Sequence, residues 1–240
     1  MINKIMMVNT INLIVLNLLI TANALVYDKC INDKHLTLTF DDGPNENTIN
    51  LINILDKYKI KGTFFINGLN IIRNNYQSLI KSMYTNNHII GSHGFAHAAM
   101  EQINDFNKRR ELSDNELVFR QLFNKRPYYY RPPYFSYDAS VVAMTETFGY
   151  SIIATNLNTN DWKATSSDEI YNNFVNGLIS NNGSIILQHD YQVLSNDALV
   201  KIIDYGILNN YTFVSLDVCI GVNKIYNDDN KYGPNLLNGI

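Results

Sequence analysis

The sequence predicts an α/β fold built on a parallel sheet with helices outside it. Two observations carry that prediction. Strand-like runs alternate with stretches of helical period along nearly the whole chain, and ionisable residues recur just past the strands, at the rim where α/β folds keep their chemistry. A third observation concerns organisation: no repeat, low-complexity stretch or linker divides the core. Residues 25–220 therefore read as one domain, between a leader at 1–24 and a polar tail at 221–240. Periodicity leaves open whether the sheet is an open doubly wound one or a barrel.

Taken in order, Leu36–Phe40 alternates β-favouring residues and ends in Asp41-Asp42-Gly43-Pro44. Thr48–Lys59 places Ile49, Ile52, Leu55 and Tyr58 at helical spacing. Gly62–Ile66 is a second strand, followed by a helix over Gln77–Tyr84 and a strand over Ile89–Ser92. A helix over Asn115–Asn124 is opened by Ser113-Asp114-Asn115-Glu116, whose Ser and Glu fit a capping box. A strand over Tyr128–Arg131, a helix over Ala139–Thr147 and a strand over Ser151–Asn156 follow. The helix over Asp168–Ile179 has a second capping box in Ser166-Ser167-Asp168-Glu169. A strand over Ser184–Gln188, a helix over Asp197–Leu208 and a strand over Tyr211–Leu216 close the series.

The chain has 240 residues, 17% of them charged, and a formal net charge of -3, which offers nothing to an anionic phosphate backbone. Nucleic acid is excluded as a partner, and Lys108-Arg109-Arg110 reads as a solvated face. Lys4, an apolar run from Ile11 to Ile20 and Ala22-Asn23-Ala24 form a secretory leader with cleavage expected after Ala24. The run is too short and too interrupted to span a membrane, so a secreted, extracellular or wall-associated monomer is expected. In an oxidising compartment Cys30 and Cys219, at opposite ends of the domain, are expected to pair. Asn182-Gly183-Ser184 and Asn210-Tyr211-Thr212 match the glycosylation acceptor pattern.

Asp41 and Asp42 point in different directions at the strand exit, so one carboxylate can take a metal while the other faces a substrate. Alone, they read more simply as an acidic turn. His93 and His97, spaced i, i+4, are close enough on one helical turn to share a metal. With Asp42 they complete a His-His-carboxylate set that leaves a coordination position open, which suits catalytic zinc and equally non-haem iron. His35 and His88 have no such partner and read as ordinary histidines. Arg131-Pro132-Pro133-Tyr134, Asn158-Thr159-Asn160-Asp161-Trp162 and Leu187-Gln188-His189-Asp190 lie at later strand exits.

These five motifs, in this order, resemble the polysaccharide deacetylases of carbohydrate esterase family 4, the nodulation-type deacetylase domain, and among them chitin deacetylases most. The resemblance implies a distorted (β/α)7 barrel and a hydrolase of linear amides that uses zinc, or cobalt or manganese in its place. It implies Asp41 as general base, Asp42, His93 and His97 as metal ligands, and Arg131 as the residue holding the base. It implies the Tyr134 N–H as an oxyanion donor, Asp161 as the partner of the acid, Trp162 and Leu187 as the acetyl pocket, and His189 as general acid. The substrate implied is a polymer of N-acetylglucosamine, chitin first; peptidoglycan or acetylated xylan would use the same machinery, and a non-catalytic glycan-binding wall protein is the rival from another class. Three positions depart from the chitin-active pattern: Asn158 stands where Asp is usual, Ala98-Ala99-Met100 where Pro-Asp-Leu is common, and Phe135 where Gly follows Arg-Pro-Pro-Tyr.

Overall fold

A computed structural model describes residues 26–182 and 184–228. The leader and Gly183 of the first acceptor pattern lie outside the described residues, as does the end of the expected tail. The chain runs β1 (Val26–Tyr27), β2 (His35–Gly43), α1 (Thr48–Lys57), β3 (Thr63–Ile66), α2 (Gly68–Asn74), α3 (Gln77–Thr85), β4 (Ile89–Ser92) and α4 (Asp105–Phe123). It continues through β5 (Lys125–Pro127), β6 (Tyr129–Tyr130), α5 (Ala139–Thr147), β7 (Ser151–Ile153), β8 (Leu157–Asn158) and α6 (Ser167–Asn181). The last elements are β9 (Ile185–His189), α7 (Leu194–Leu208), β10 (Thr212–Phe213), α8 (Leu216–Ile220) and β11 (Tyr226–Asp228). Among the described residues no helix is long and apolar enough to cross a membrane.

The main sheet runs in the order β1-β7-β6-β4-β3-β2-β9-β8. Every pairing along it is parallel. Beyond the edge strand β1, the path holds seven parallel strands, the number of a distorted (β/α)7 barrel. Its strands are covered on both faces, so Thr63–Ile66 and Ile89–Ser92 are buried at every position. One cluster around Leu38, Phe40, Phe64, Ile90 and Ile186 fills the space between the sheet and the helices.

The barrel is open at one seam. Among the described residues no backbone ladder joins β7 to β8, which follow each other directly in the chain. Side chains bridge the gap instead. Thr155 Oγ1 donates to the Ile185 carbonyl at 2.6 Å, and Asn156 Oδ1 accepts from the N–H groups of Ser184 and Ile185. Arg131, fully buried, donates from Nε to the Ile153 carbonyl at 3.0 Å and from Nη2 to that of Ala154 at 3.1 Å. These bonds tie the end of β6 to the end of β7, and they satisfy part of the fixed fork of donors on a buried guanidinium.

Several expectations change. The helix expected from Asn115 begins ten residues earlier, at Asp105, with Asn104 accepting from the Asn107 N–H. The Ser113-to-Glu116 box is therefore not a start: Lys108, Leu112, Asn115, Glu116 and Phe119 continue one buried face straight through it. The second box holds, with Ser166 Oγ accepting from the Glu169 N–H, although Glu169 reaches back to Thr165. In α1 the buried face is Leu51, Ile52 and Leu55, while Ile49 is largely exposed. Lys108 departs from the solvated-face reading: it is buried, with Nζ donating to Asp105 and Ser140. Nor is the segment past Gly221 all tail, since β11 pairs antiparallel with β5.

Cys30 and Cys219 form a disulfide that closes 189 residues of sequence, with Cys219 in α8 rather than just past a strand. Loop closure of that length stabilises by on the order of 5 kcal/mol in the chain-entropy model. Cys30→Ser is expected to cost about 2–5 kcal/mol in denaturant unfolding, and non-reducing peptide mapping of the native protein should recover the linked pair. Two freely alkylated thiols would overturn the pairing.

Candidate active site

The first strand does not stop before its acidic pair. β2 runs through Asp41, Asp42 and Gly43, and its register against β3 shifts between Asp41 and Gly43. Asp42 is the extra residue of this bulge and takes a φ of 75°. A bulge re-aims side chains, so adjacent carboxylates serve different partners. Gly43 is required here because a Cβ would collide with the Asp190 carboxylate.

His93 and His97 meet Asp42 through a loop rather than on a helical turn. Gly94 and His97 both have positive φ, 76° and 63°, which no helix accommodates. Asp42 Oδ1 lies 3.2 Å from His93 Nε2 and 2.9 Å from His97 Nε2. His93 Nδ1 donates to the Arg131 carbonyl at 2.7 Å, which leaves a lone pair on Nε2 facing the carboxylate. Asp42 Oδ1 is buried without a hydrogen-bond partner among the described residues. Electron-rich atoms drawn together in this way suit a cation, and the donor set of two imidazoles and one carboxylate fits a divalent metal ion. The loop carrying both histidines is braced by groups that sequence reasoning missed. Asn67 donates to the His93 carbonyl at 2.7 Å, Asn70 to that of Asp42 at 2.8 Å, and Glu111 accepts from the Ala96 N–H at 2.9 Å.

Asp41 faces the same space from the strand. One carboxylate oxygen accepts from Arg131 Nη1 at 2.8 Å, and the other lies 4.0 Å from His93 Nε2. Burial pushes the Arg131 guanidinium below its ordinary pKa, and Asp41 opposes that shift. The ion pair is thus mutual: each charge is what makes the other tolerable in the interior.

The β2–β9 pairing sets His189 opposite Asp41. Asp161, fully buried on a short 3-10 turn, accepts from the His189 N–H at 2.6 Å, His189 Nδ1 at 2.7 Å and Ser195 Oγ at 2.7 Å. His189 Nε2 is left toward the cavity, 3.9 Å from Asp42 Oδ2. Burial lowers its proton affinity. The hydrogen bond and charge of Asp161, with Asp41 and Asp42 behind, outweigh burial and raise the pKa to about 9. The following residue, Asp190, was read only as part of its motif. It is buried, accepts from Asn45 Nδ2 and Thr48 Oγ1 at 2.6 Å each, and is pushed up to about 7, chiefly by burial.

Asp41, Asp42, His93, His97 and His189 line a cavity of about 400 Å³. Its walls include Leu187 and Phe135 as well as Tyr134 and Trp162, which are 70% and 53% exposed. Tyr134 and Phe135 take left-handed φ of 59° and 51°, so this loop holds a strained shape next to His97. Tyr191, unanticipated, adds an exposed ring 5.5 Å from that of His189. His88 is elsewhere, accepting from the Gly62 N–H and held well below its ordinary pKa, at about 4, first by burial. His35 opens β2.

A family model described as polysaccharide deacetylase matches residues 28–153. The chain belongs to that family. Among curated polysaccharide deacetylases it is 31% identical to a chitin deacetylase of Arthroderma benhamiae over 202 residues, 82% of this chain and 54% of the relative. It is also 31% identical to a peptidoglycan-N-acetylglucosamine deacetylase of Bacillus cereus over 190 residues, 77% of this chain and 68% of that relative. The chain therefore spans about half the length of the first relative. Among solved polysaccharide deacetylase structures, the chitin deacetylase of Colletotrichum lindemuthianum superposes with a TM-score of 0.80 at 28% identity, covering 85% of this chain and 96% of that one.

Proposed function

We propose that the protein is a secreted, metal-dependent deacetylase that hydrolyses the N-acetyl groups of an N-acetylglucosamine polymer, chitin first, and acts as a monomer. The observation that carries this reading is the pairing of Asp41 and His189 across adjacent strands, on either side of the Asp42–His93–His97 cluster. The disulfide supports an oxidising compartment, and the leader pattern supports secretion.

Zinc, or cobalt or manganese, held by Asp42, His93 and His97 would acidify water and polarise the acetyl carbonyl. Asp41, held in place by Arg131, accepts the proton of the attacking water. The Tyr134 N–H is assigned to the oxyanion that develops on the carbonyl oxygen. His189, cationic beside Asp161, gives its proton to the amine nitrogen as the C–N bond breaks. Water thereby adds to the acyl carbon, and acetate and a free sugar amine leave. Trp162 and Leu187 enclose the acetyl methyl.

The test is acetate release from chitin oligomers, peptidoglycan and acetylated xylan measured side by side. Release from chitin is expected to be fastest, to vanish after chelation and to return with zinc. Faster release from peptidoglycan would reassign the substrate. No release from any polymer with zinc present would favour a glycan-binding wall protein.

A further inference from the structure

A second cavity of about 550 Å³ adjoins the first and shares His97, Tyr134 and Phe135 with it. Its remaining walls include Glu101, Gln102 and Ser136, and among the described residues no lysine or arginine. Glu101 is exposed, yet it is held in place. Its N–H donates to Ser136 Oγ at 3.1 Å, and Ser136 Oγ donates to Glu101 Oε2 at 3.0 Å. Ser136 is itself buried, so the carboxylate is oriented before any ligand arrives. A carboxylate oriented in an open cavity, on the wall away from His97 and with no lysine or arginine among the described lining residues, offers an ion pair to a positive group from outside.

We propose that this cavity is a subsite for a sugar carrying a free amine, and that Glu101 selects it. The inference rests on the deacetylase reading. Hydrolysis leaves an ammonium on the sugar. When a polymer advances, that ammonium leaves the reaction cavity, and the adjoining cavity is where Glu101 waits. An acetylated neighbour offers this carboxylate no charge, whereas a glucosamine neighbour offers an ion pair with hydrogen bonds. Once begun, deacetylation therefore continues to neighbouring units, and the product carries its free amines in runs.

The experiment uses N-acetylglucosamine tetramers with a single glucosamine placed at each position in turn. The native protein should process one of these isomers with a kcat/KM about three- to fivefold above that for the fully acetylated tetramer, the size of one solvent-facing ion pair. In Glu101→Gln that ratio should fall to about one, and in Glu101→Lys below one. A ratio unchanged by Glu101→Gln overturns the proposal. Binding of the fully deacetylated tetramer, followed by calorimetry, tests the subsite without turnover. Weaker binding by Glu101→Gln supports it even if no polymer yields acetate, in which case the deacetylase reading fails alone. Equal affinities overturn the subsite.

Discussion

Replacing His189 with alanine is expected to lower turnover by about 10²- to 10⁴-fold while glycan affinity stays near that of the native protein. The imidazole is held by Asp161 from below and contributes one nitrogen to the cavity, whereas the exposed contact area comes from Trp162, Tyr134 and Tyr191. Removing it takes away a proton donor and little binding surface. Asp161→Asn should act in the same direction, since an amide can hold the ring but cannot favour its charge. The pH profile gives the sign. An acid is competent while protonated, so the rate should fall as pH rises through the His189 pKa, which stands at about 9 in the protein alone. Positive charge at the ligand cluster opposes the imidazolium and moves that limb down. Loss of the Asp161 charge should move it down again. Unchanged turnover in His189→Ala would remove this residue from the mechanism. A basic limb that stays put in Asp161→Asn would remove Asp161 as its electrostatic partner.

The parts of the site that were legible in the sequence are those written beside a strand. Asp41, Asp42, His93, Arg131 and His189 each follow or end an apolar run, so the strand pattern that places the run also places the residue. The bracing groups escaped for the opposite reason. Asp190 meets Thr48 across 142 residues and Asn45 across 145, and no local pattern encodes a partner at that distance. Asn67 and Asn70 sit at and within α2, a seven-residue helix that starts on Gly68 and carries too little periodicity to register. The side chain of Asn67 would have been a signal only once the polar residue before Gly68 was read as a helix entry. The seam was hidden because β8 has two residues, and the Thr155 and Asn156 side chains that cross it to β9 find partners about 30 residues away, beyond any local pattern. The i, i+4 histidines illustrate the limit of spacing arguments: the distance was suggestive, but positive φ at Gly94 and His97, not a helix, brings the rings together.

Asp41 and Asp42 are chemically identical neighbours to which the proposed mechanism gives opposite tasks. Asp42 Oδ1 has no hydrogen-bond donor among the described residues and two imidazole nitrogens within 3.2 Å, the position proposed for a ligand. Asp41 has one oxygen tied to a fully buried arginine and the other facing the cavity, the position proposed for a base. Asp42→Ala leaves two histidines, so metal content and activity should fall together, and excess zinc should restore part of both. Asp41→Asn keeps all three ligands, so bound zinc should stay near stoichiometric while activity falls by about 10²-fold or more, because a neutral amide cannot accept a proton from water. Added zinc should not rescue it. The second variant also leaves Arg131 with an uncharged partner in the interior, so thermal unfolding must be followed beside it; losing one side of a buried pair costs about 3–5 kcal/mol when nothing replaces the charge. The asparagine carbonyl still accepts from Arg131, which is why this variant is preferable to alanine for separating chemistry from folding. Elemental analysis beside acetate release decides the assignment. Zinc lost from Asp41→Asn and kept by Asp42→Ala would exchange the two roles, and zinc kept with full activity in both would reduce the pair to an acidic bulge.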